Sequence, residues 1–192
     1  MFLVLHGQTE WNRDGKLQGH SDAPLTQEGE RQARASGAIV KFHLKGAARI
    51  VASPLGRTQA TARIVAACLG LPPDLIETDA RLAELRLGSW EGLTREQIRA
   101  GWPNRMEGAT RNAWYFQSPD GEDYDAMAQR LQDWLGAQSE HETLIAVSHG
   151  IASRVLRGLY AGLSKHDAIE LAVTRDAPYR LWGGRIAALA PA

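Results

Sequence analysis

The segment Phe2-Leu3-Val4-Leu5-His6-Gly7, near the start of the 192-residue sequence, is the strongest indication of the fold class. Four consecutive apolar residues are too few for a helix and are typical of a strand buried on both faces of a parallel sheet. The histidine and glycine that follow predict an exposed imidazole beside backbone that a ligand can approach closely. A second segment of this type, Leu144–Val147, is followed by Ser148-His149-Gly150.

Strand-like and helix-like segments alternate around these two stretches. Short strands are predicted at Ile50–Ala52 and Leu75–Glu77, and a hairpin at Tyr179–Leu189. Two helices are predicted to begin at caps, one after Thr26 and one at the capping box at Thr94. Three more are predicted from about Arg57 to Leu69, from Glu122 to Gln138 and from Gly150 to about Tyr160. The segments Trp11–Pro24 and Pro103–Gly121 are predicted to be loop or irregular. This order predicts an α/β fold, a three-layer α-β-α sandwich with a mostly parallel central sheet.

The predicted topology places three side chains at one edge of that sheet. His6, Ser53 and His149 each follow a strand, and ligands of such folds bind beyond the carboxyl ends of the strands. A phosphoryl group needs an in-line nucleophile, cationic donors for its oxygens and an acid for the leaving oxygen. The chain can supply His6 for the first role, Arg57 for the second and a carboxylate for the third.

Composition and charge narrow the class of protein. The 22 Lys and Arg residues balance 22 Asp and Glu residues, and this neutral balance gives no sign of nucleic acid or a membrane surface as a partner. The sequence has no signal-peptide pattern, no apolar run near the roughly 20 residues that span a bilayer, and a single cysteine, Cys68. We expect a cytoplasmic protein with one domain over residues 1–192. The oligomeric state stays open, a homodimer being one option.

Short sequence motifs lie within and between these predicted strands and helices. In order along the chain they are His6-Gly7-Gln8-Thr9-Glu10-Trp11-Asn12, Gln18-Gly19, Asp22–Thr26, Ser53–Thr61, Leu82-Ala83-Glu84, Gly88–Gly92, Gly121-Glu122 and Ser148-His149-Gly150. By these motifs and their spacing, nearly the whole chain resembles the histidine phosphatase superfamily in its phosphoglycerate-mutase-like branch.

The resemblance implies a role for each matching residue. His6 would attack phosphorus and carry the phosphoryl group, and Arg57 would hold two phosphate oxygens in a fork. His149 would stabilise the transferring group. Glu84 would protonate the leaving oxygen and then activate water, and Asn12 would donate a further hydrogen bond. The remaining candidates are Gly150 in the phosphate site and Gln18, Gly19 and His20 at the substrate entrance.

The resemblance also implies that no metal and no other cofactor takes part. The sequence agrees, because it has no His-x-x-x-His or Cys-x-x-Cys spacing. The partner expected is a small-molecule phosphate ester. A segment at about residues 103–121 is a candidate lid, in which Trp114-Tyr115-Phe116 either contacts substrate or packs as a small satellite core. His43, His141 and His166 are predicted to be ordinary residues outside the site.

One position departs from the family's pattern. Its first motif normally reads Arg-His-Gly, and the arginine, which usually adds a second guanidinium to the phosphate pocket, is Leu5 here. Losing one donor aimed at a transition state can cost roughly 10²–10³ in rate. Arg13, Arg86 and Arg154 are candidates to replace it. A second, smaller departure is Asp123, where Ser commonly follows Gly-Glu.

The preferred function is hydrolysis of phosphomonoesters of small metabolites through a phosphohistidine intermediate. The compact chain favours water as the acceptor, since mutases of this branch are usually longer and sequester the intermediate. The alternatives are a phosphoglycerate-type mutase that depends on a bisphosphorylated primer, and a catalytically weakened phosphate-binding protein, which Leu5 suggests. The attacking imidazole must be neutral and Glu84 protonated, so we expect a rate optimum on the acidic side of neutral.

Overall fold

The two strands that directly precede His6 and His149 lie side by side in the middle of one sheet. The structure, a computed structural model, describes residues 1–107, 112–139 and 142–190. Within them the sheet has six strands: β1 Phe2–Leu5, β2 Ala48–Ala52, β3 Ile76–Thr78, β4 Thr143–Ser148, β5 Tyr179–Trp182 and β6 Arg185–Ala188. Their order is β3-β2-β4-β1-β5-β6. The first four are mutually parallel, and β5 and β6 add as antiparallel strands, which confirms the predicted mostly parallel sheet.

Helices cover both faces of the sheet and confirm the three-layer architecture. They are α1 Glu10–Arg13, α2 Gln27–His43, α3 Gly56–Leu69, α4 Arg95–Gly101, α5 Pro103–Met106, α6 Tyr124–Gly136, α7 Gly150–Ala161 and α8 Lys165–Glu170. The apolar core accordingly has two halves, one on each side of the sheet.

The alternation of side chains along β1 divides that core. Phe2 and Val4 pack with Val40 of α2 on one face. Leu3 and Leu5 point to the other face and pack in the cluster that holds the buried residues of α6 and α7. Each such side chain contributes roughly 1.5–3 kcal/mol when it is fully removed from water. The continuous apolar run therefore reflects a strand covered on both sides.

Most predicted helix ends match the structure, although α6 is two residues shorter at each end than the predicted Glu122–Gln138. The Thr26 hydroxyl accepts from the backbone N–H of Gly29 at 3.0 Å and caps α2. Thr94 and Gln97 form the capping box at the start of α4. Gly70 ends α3 with φ +74°, a left-handed conformation that glycine adopts without steric cost.

Four short helices depart from the prediction. The Trp11–Pro24 segment is not loop throughout, because α1 occupies its start under a capping box of Thr9 and Asn12. Pro103–Gly121 is not irregular throughout, because it contains α5 and a 3₁₀ helix at Ala113–Gln117. The helix α8 was not predicted. One or two turns carry too little apolar periodicity to be recognised in a sequence.

The chain ends in the predicted hairpin. Gly183 and Gly184 join β5 to β6, and their φ angles of +50° and +72° suit the two-residue turns that match strand twist. None of the described helices is long and apolar enough to cross a membrane.

Candidate active site

The strand order brings both histidines to one edge of the sheet. β4 lies between β2 and β1, and all three are parallel. The backbone N–H of His6 donates to Ser148 O at 3.0 Å, and that of Ser53 donates to Val147 O at 3.0 Å. The imidazole centroids of His6 and His149 are 5.3 Å apart. The structure thus brings together the three strand-end residues predicted to meet.

His6 is buried, with 5% of its surface exposed. Its Nδ1 lies 2.8 Å from the carbonyl oxygen of Gly7. Because a carbonyl can only accept, Nδ1 must carry the hydrogen, and Nε2 keeps its lone pair. Burial first, then the charges of Arg57 and Arg175, hold the pKa of His6 well below its usual range. The ring is therefore held in the neutral, nucleophilic form.

His149 is fully buried at the end of β4. Its Nε2 lies 2.7 Å from the Ser53 hydroxyl, while its Nδ1 has no hydrogen-bond partner among the described residues. If the hydroxyl donates to Nε2, Nδ1 carries the hydrogen and is a free donor. Burial and the nearby charge of Arg57 lower the pKa of His149 well below its ordinary value. A buried polar nitrogen without a partner is typical of a ligand site.

Arg57 lies in the first turn of α3 with 2% of its surface exposed. Its Nη1 donates to Ser21 O at 2.8 Å and to Asp22 at 3.0 Å, and its Nη2 donates to Gly19 O at 2.8 Å. Its Nε has no partner among the described residues. Nη2 carries two hydrogens and uses one, so Nε and Nη2 each keep an N–H for a ligand, and the two-oxygen fork stays a prediction.

The Glu84 carboxylate sits on the N-terminus of α7. It accepts from the backbone N–H groups of Ile151 at 3.1 Å and Ala152 at 2.9 Å, and also from its neighbour Leu85 at 2.9 Å. Unpaired N–H groups at a helix start readily donate hydrogen bonds to a carboxylate. These contacts fix the carboxylate in place on the wall of the site.

A second set of contacts holds the backbone of Glu84. Arg130 of α6 donates to Glu84 O at 3.1 Å and forms a two-pronged ion pair with Glu122. The His20 ring nitrogen Nε2 lies 2.9 Å from the same carbonyl. Glu122 of the Gly121-Glu122 motif thus acts at a distance, by orienting the arginine that positions the Glu84 segment.

These groups surround one cavity of about 270 Å³ at the sheet edge. His6, Arg57 and Glu84 line it, together with Asn12, Gln18 and Gly150. The Asn12 Oδ1 accepts from the Thr9 backbone, which leaves the amide Nδ2 as a further donor. The Gln18 Oε1 is buried without a partner among the described residues. The arrangement combines a neutral nucleophile, a fixed carboxylate and several unused N–H donors, as phosphoryl transfer requires.

Comparison with known proteins identifies the family. The histidine phosphatase superfamily (branch 1) matches residues 1–179 of the chain. The protein belongs to this superfamily. Its members are phosphatases or mutases that use a phosphohistidine intermediate.

Among the similar proteins, some are named as mutases and others as phosphatases. A probable phosphoglycerate mutase GpmB of Enterobacter sp. (strain 638) is 39% identical over 171 residues, which are 85% of this chain and 75% of the relative. Among solved structures, YhfR of Bacillus stearothermophilus has a TM-score of 0.81 at 28% identity and covers 97% of this chain and 93% of its own. A mycobacterial glucosyl-3-phosphoglycerate phosphatase solved with VO3 has a TM-score of 0.78 at 25% identity, with 98% and 96% covered.

Two residues predicted at the entrance of this superfamily's site lie elsewhere. Gln18 lines the cavity, but Gly19 and His20 do not. The carbonyl of Gly19 binds Arg57, and the His20 ring contacts the backbone of Glu84. Both therefore contact catalytic candidates, and their role at the substrate entrance stays a prediction.

The aromatic segment predicted as a lid or a satellite core lies partly on the cavity wall and partly in the core, and its role as a lid stays a prediction. Tyr115 lines the cavity, whereas Trp114 is buried in the core against Trp90, with ring centroids 5.9 Å apart. The rings of Trp114 and Tyr115 stack, with centroids 4.1 Å apart.

Asp123, the smaller departure from the family pattern, caps α6 by accepting from the Ala126 N–H at 2.8 Å.

The cations near the site were only partly predicted. Arg13 is exposed and paired with Glu10 and Asp14, and Arg86 is exposed and donates to Asp120 O, so neither lines the cavity. Arg154 does line it. Lys16 and Arg175 also line it and were missed, because neither belongs to a family motif.

Two of the histidines expected outside the site lie away from the cavity. His43 and His166 do not line the cavity, and His141 lies outside the described residues. Within residues 1–107, 112–139 and 142–190, no group of three or more His, Cys, Asp or Glu could hold a metal ion.

Proposed function

We propose that this protein hydrolyses phosphomonoesters of small metabolites through a phosphorylated His6. The observation that carries the proposal is the contact between His6 Nδ1 and Gly7 O at 2.8 Å. It assigns the hydrogen to Nδ1 and leaves Nε2 as a free nucleophile in the cavity that Arg57 and Glu84 also line. A histidine held in this way suits attack on phosphorus.

The first step transfers the phosphoryl group to the protein. Nε2 of His6 forms a bond to phosphorus as the bond between phosphorus and the ester oxygen breaks. Glu84 gives its proton to the departing oxygen. The phosphoryl oxygens gain hydrogen bonds from nitrogens that have no described protein partner, namely Arg57 Nε, His149 Nδ1 and Asn12 Nδ2. Donors that are fixed before the reaction stabilise the transition state without reorganisation.

The second step returns the protein to its starting state. Water attacks the phosphorus of phospho-His6, and the bond between Nε2 and phosphorus breaks. Glu84, now ionised, accepts a proton from that water, so inorganic phosphate leaves and Glu84 is protonated again. The same carboxylate serves as acid and then as base, which is why its position must be fixed.

Hydrolysis is favoured over mutase chemistry by access to the cavity. The site opens to solvent, so water can reach a phosphohistidine. One similar solved structure is a phosphatase, which supports the same choice. The GpmB relative, named a probable mutase, makes return of the phosphoryl group to an isomeric hydroxyl the second candidate.

The test is steady-state turnover in the presence of a chelator. The purified protein, His6→Ala and the matched control His166→Ala are assayed with p-nitrophenyl phosphate and with a panel of phosphorylated metabolites. Turnover that His6→Ala abolishes and His166→Ala retains supports the proposal. A parallel assay follows isomerisation of phosphoglycerate with and without bisphosphoglycerate. Primer-dependent isomerisation without net phosphate release would replace hydrolysis by the mutase function.

A further inference from the structure

The position that departs from the family motif contributes no charge to the cavity. Leu5 is 3% exposed and packs with Leu3 in the apolar cluster between the sheet and α6 and α7. It is not among the residues that line the cavity. The arginine expected at this position of the family is therefore replaced by a core residue, and its charge must be absent or come from elsewhere.

Arg175 reaches the same region from another part of the chain. It lies in the loop between α8 and β5, and β5 runs antiparallel beside β1, with Tyr179 opposite Leu3. The residues before β5 therefore pass the carboxyl end of β1, where His6 is located. Arg175 and His6 line the same cavity.

The loop that carries Arg175 is anchored on both sides. The hydroxyl of buried Ser36 donates to Arg175 O at 3.3 Å. The Tyr179 hydroxyl accepts from Thr174 N–H and donates to Ala172 O, each at 3.0 Å. These bonds hold the backbone of Arg175 in place, so the side chain can be presented to a ligand without ordering the loop first.

The guanidinium of Arg175 is half-buried and unused. Among the described residues, none accepts a hydrogen bond from it or pairs with it within 4.0 Å, whereas Arg154, on the same cavity, donates to Leu171 O at 2.8 Å. Burial lowers the pKa of Arg175, and the charges of Glu84 and Asp176 oppose this shift. A cation taken partly out of water without an acceptor is unfavourable unless an anion binds to it.

We propose that Arg175 supplies the guanidinium that Leu5 has replaced, and that it binds the oxygens of the phosphoryl group during transfer to and from His6. The phosphate pocket keeps its second arginine, moved from the end of β1 to the loop before β5. This inference rests on the proposed function and explains how the site tolerates Leu5.

The test compares Arg175→Met, Arg175→Lys and the control Arg185→Met, whose side chain is exposed on β6. Two readouts are used: kcat/KM for p-nitrophenyl phosphate and the equilibrium affinity for orthovanadate. We expect Arg175→Met to lower kcat/KM by roughly 10²–10³ and to weaken vanadate binding about 10-fold or more. Arg175→Lys should fall in between, because a point charge cannot reproduce the planar fork. Arg185→Met should match the unmodified protein.

The proposal is overturned if Arg175→Met keeps both kcat/KM and vanadate affinity within about a factor of two of the unmodified protein, the same range expected for the control. If Arg175→Met fails to fold, Arg175→Lys decides by the same criterion. If the unmodified protein binds vanadate but hydrolyses nothing, the proposed function fails, and the vanadate affinities of the variants still decide the role of Arg175.

Discussion

Asp22 holds Arg57 at two separate points. Its carboxylate accepts from the Arg57 backbone N–H at 3.2 Å and from the side-chain Nη1 at 3.0 Å. The loop that contains Asp22 thus fixes both the start of α3 and the direction of the guanidinium. Nε, which has no partner among the described residues, is available to a phosphate oxygen.

Asp22→Ala should therefore lower kcat/KM about 10- to 100-fold, because the guanidinium loses its orientation although its charge remains. The matched control is Glu77→Ala, which removes the ion pair with Arg49 at the sheet edge, far from the cavity. Steady-state kinetics of both variants check the prediction. Equal activity of Asp22→Ala and Glu77→Ala would show that Asp22 does not position Arg57.

The pH dependence of kcat/KM should reflect the environment of His6. The charged and titratable groups around it are Arg57 from α3, Arg175 from the loop before β5, His149 from β4 and Glu84 across the cavity. Because burial and two cations lower the pKa of His6, its ionisation should not reduce kcat/KM as the pH falls through about 6.5.

Removing one of those cations should raise that pKa. In Arg175→Met the protonated imidazole is less disfavoured, so the acid limb of kcat/KM should move to higher pH. The ratio of the unmodified and variant profiles with one substrate cancels the ionisation of the substrate itself. A ratio that does not change with pH would mean that Arg175 has no electrostatic influence on His6.

The two site histidines should also make stability depend on pH. His6 and His149 both have a lowered pKa in the folded protein, so below about pH 6.5 the unfolded chain binds more protons. The free energy of unfolding should therefore fall as the pH decreases from about 6.5 toward the folded-state values, by up to about 1.4 kcal/mol per pH unit for each imidazole. Above that range this contribution is fully present.

Urea unfolding at several pH values between about 7.5 and about 5.5 measures this slope. His149→Gln keeps a side chain able to bond Ser53 and should flatten the slope. The control His166→Gln, at an exposed site, should leave it unchanged. If all three proteins share one slope, the buried imidazole of His149 does not set the pH dependence.

The core of the fold could be predicted because its signals are local. The apolar run at Phe2–Leu5, the cap at Thr26 and the stop at Gly70 each depend on a few adjacent residues. The alternation of strands and helices then placed His6 and His149 at one edge of the sheet, whereas the strand order came from the structure. The short helix α8 has a local cap as well, since the Ser164 hydroxyl accepts from the Asp167 N–H at 3.2 Å, but its few residues show no apolar periodicity.

The candidate site was predictable only where a motif marked it. His6, Arg57 and Glu84 belong to motifs, and the structure puts them around one cavity. Arg175 does not, because its place depends on β5 pairing antiparallel with β1, a long-range contact that a single sequence does not display. His20 lies near motifs, yet which way its ring points depends on packing against Glu84.

The backbone next to His6 packs against α2 with no room for a methyl group. A Cβ on Gly29 would lie 2.0 Å from Gln8 O, and one on Gly7 would lie 2.1 Å from Gly29 O. Gly29→Ala should therefore cost roughly 1–3 kcal/mol or more of unfolding free energy, since backbone must move. It should also reduce turnover, because Gly7 and Gln8 directly follow the nucleophile.

Gly136→Ala is the matched control for this change. Gly136 is the last residue of α6, and a Cβ there meets nothing within 4 Å. Its replacement should be neutral or stabilise the protein by up to about 1 kcal/mol. Chemical denaturation of the two variants checks the pair, and a Gly29→Ala protein as stable as Gly136→Ala would contradict the close approach of the two backbones.

The central claim is that His6 carries the phosphoryl group, and mass spectrometry of the protein quenched in alkali during turnover tests it most directly. With p-nitrophenyl phosphate as substrate, whose leaving phenolate needs no proton from Glu84, Glu84→Ala should accumulate the phosphoenzyme, because the base that activates water is missing. We expect one added phosphoryl group, located on His6 by fragmentation and absent from His6→Ala. Turnover without any phosphoenzyme in Glu84→Ala, or a phosphoryl group on a different residue, would contradict it.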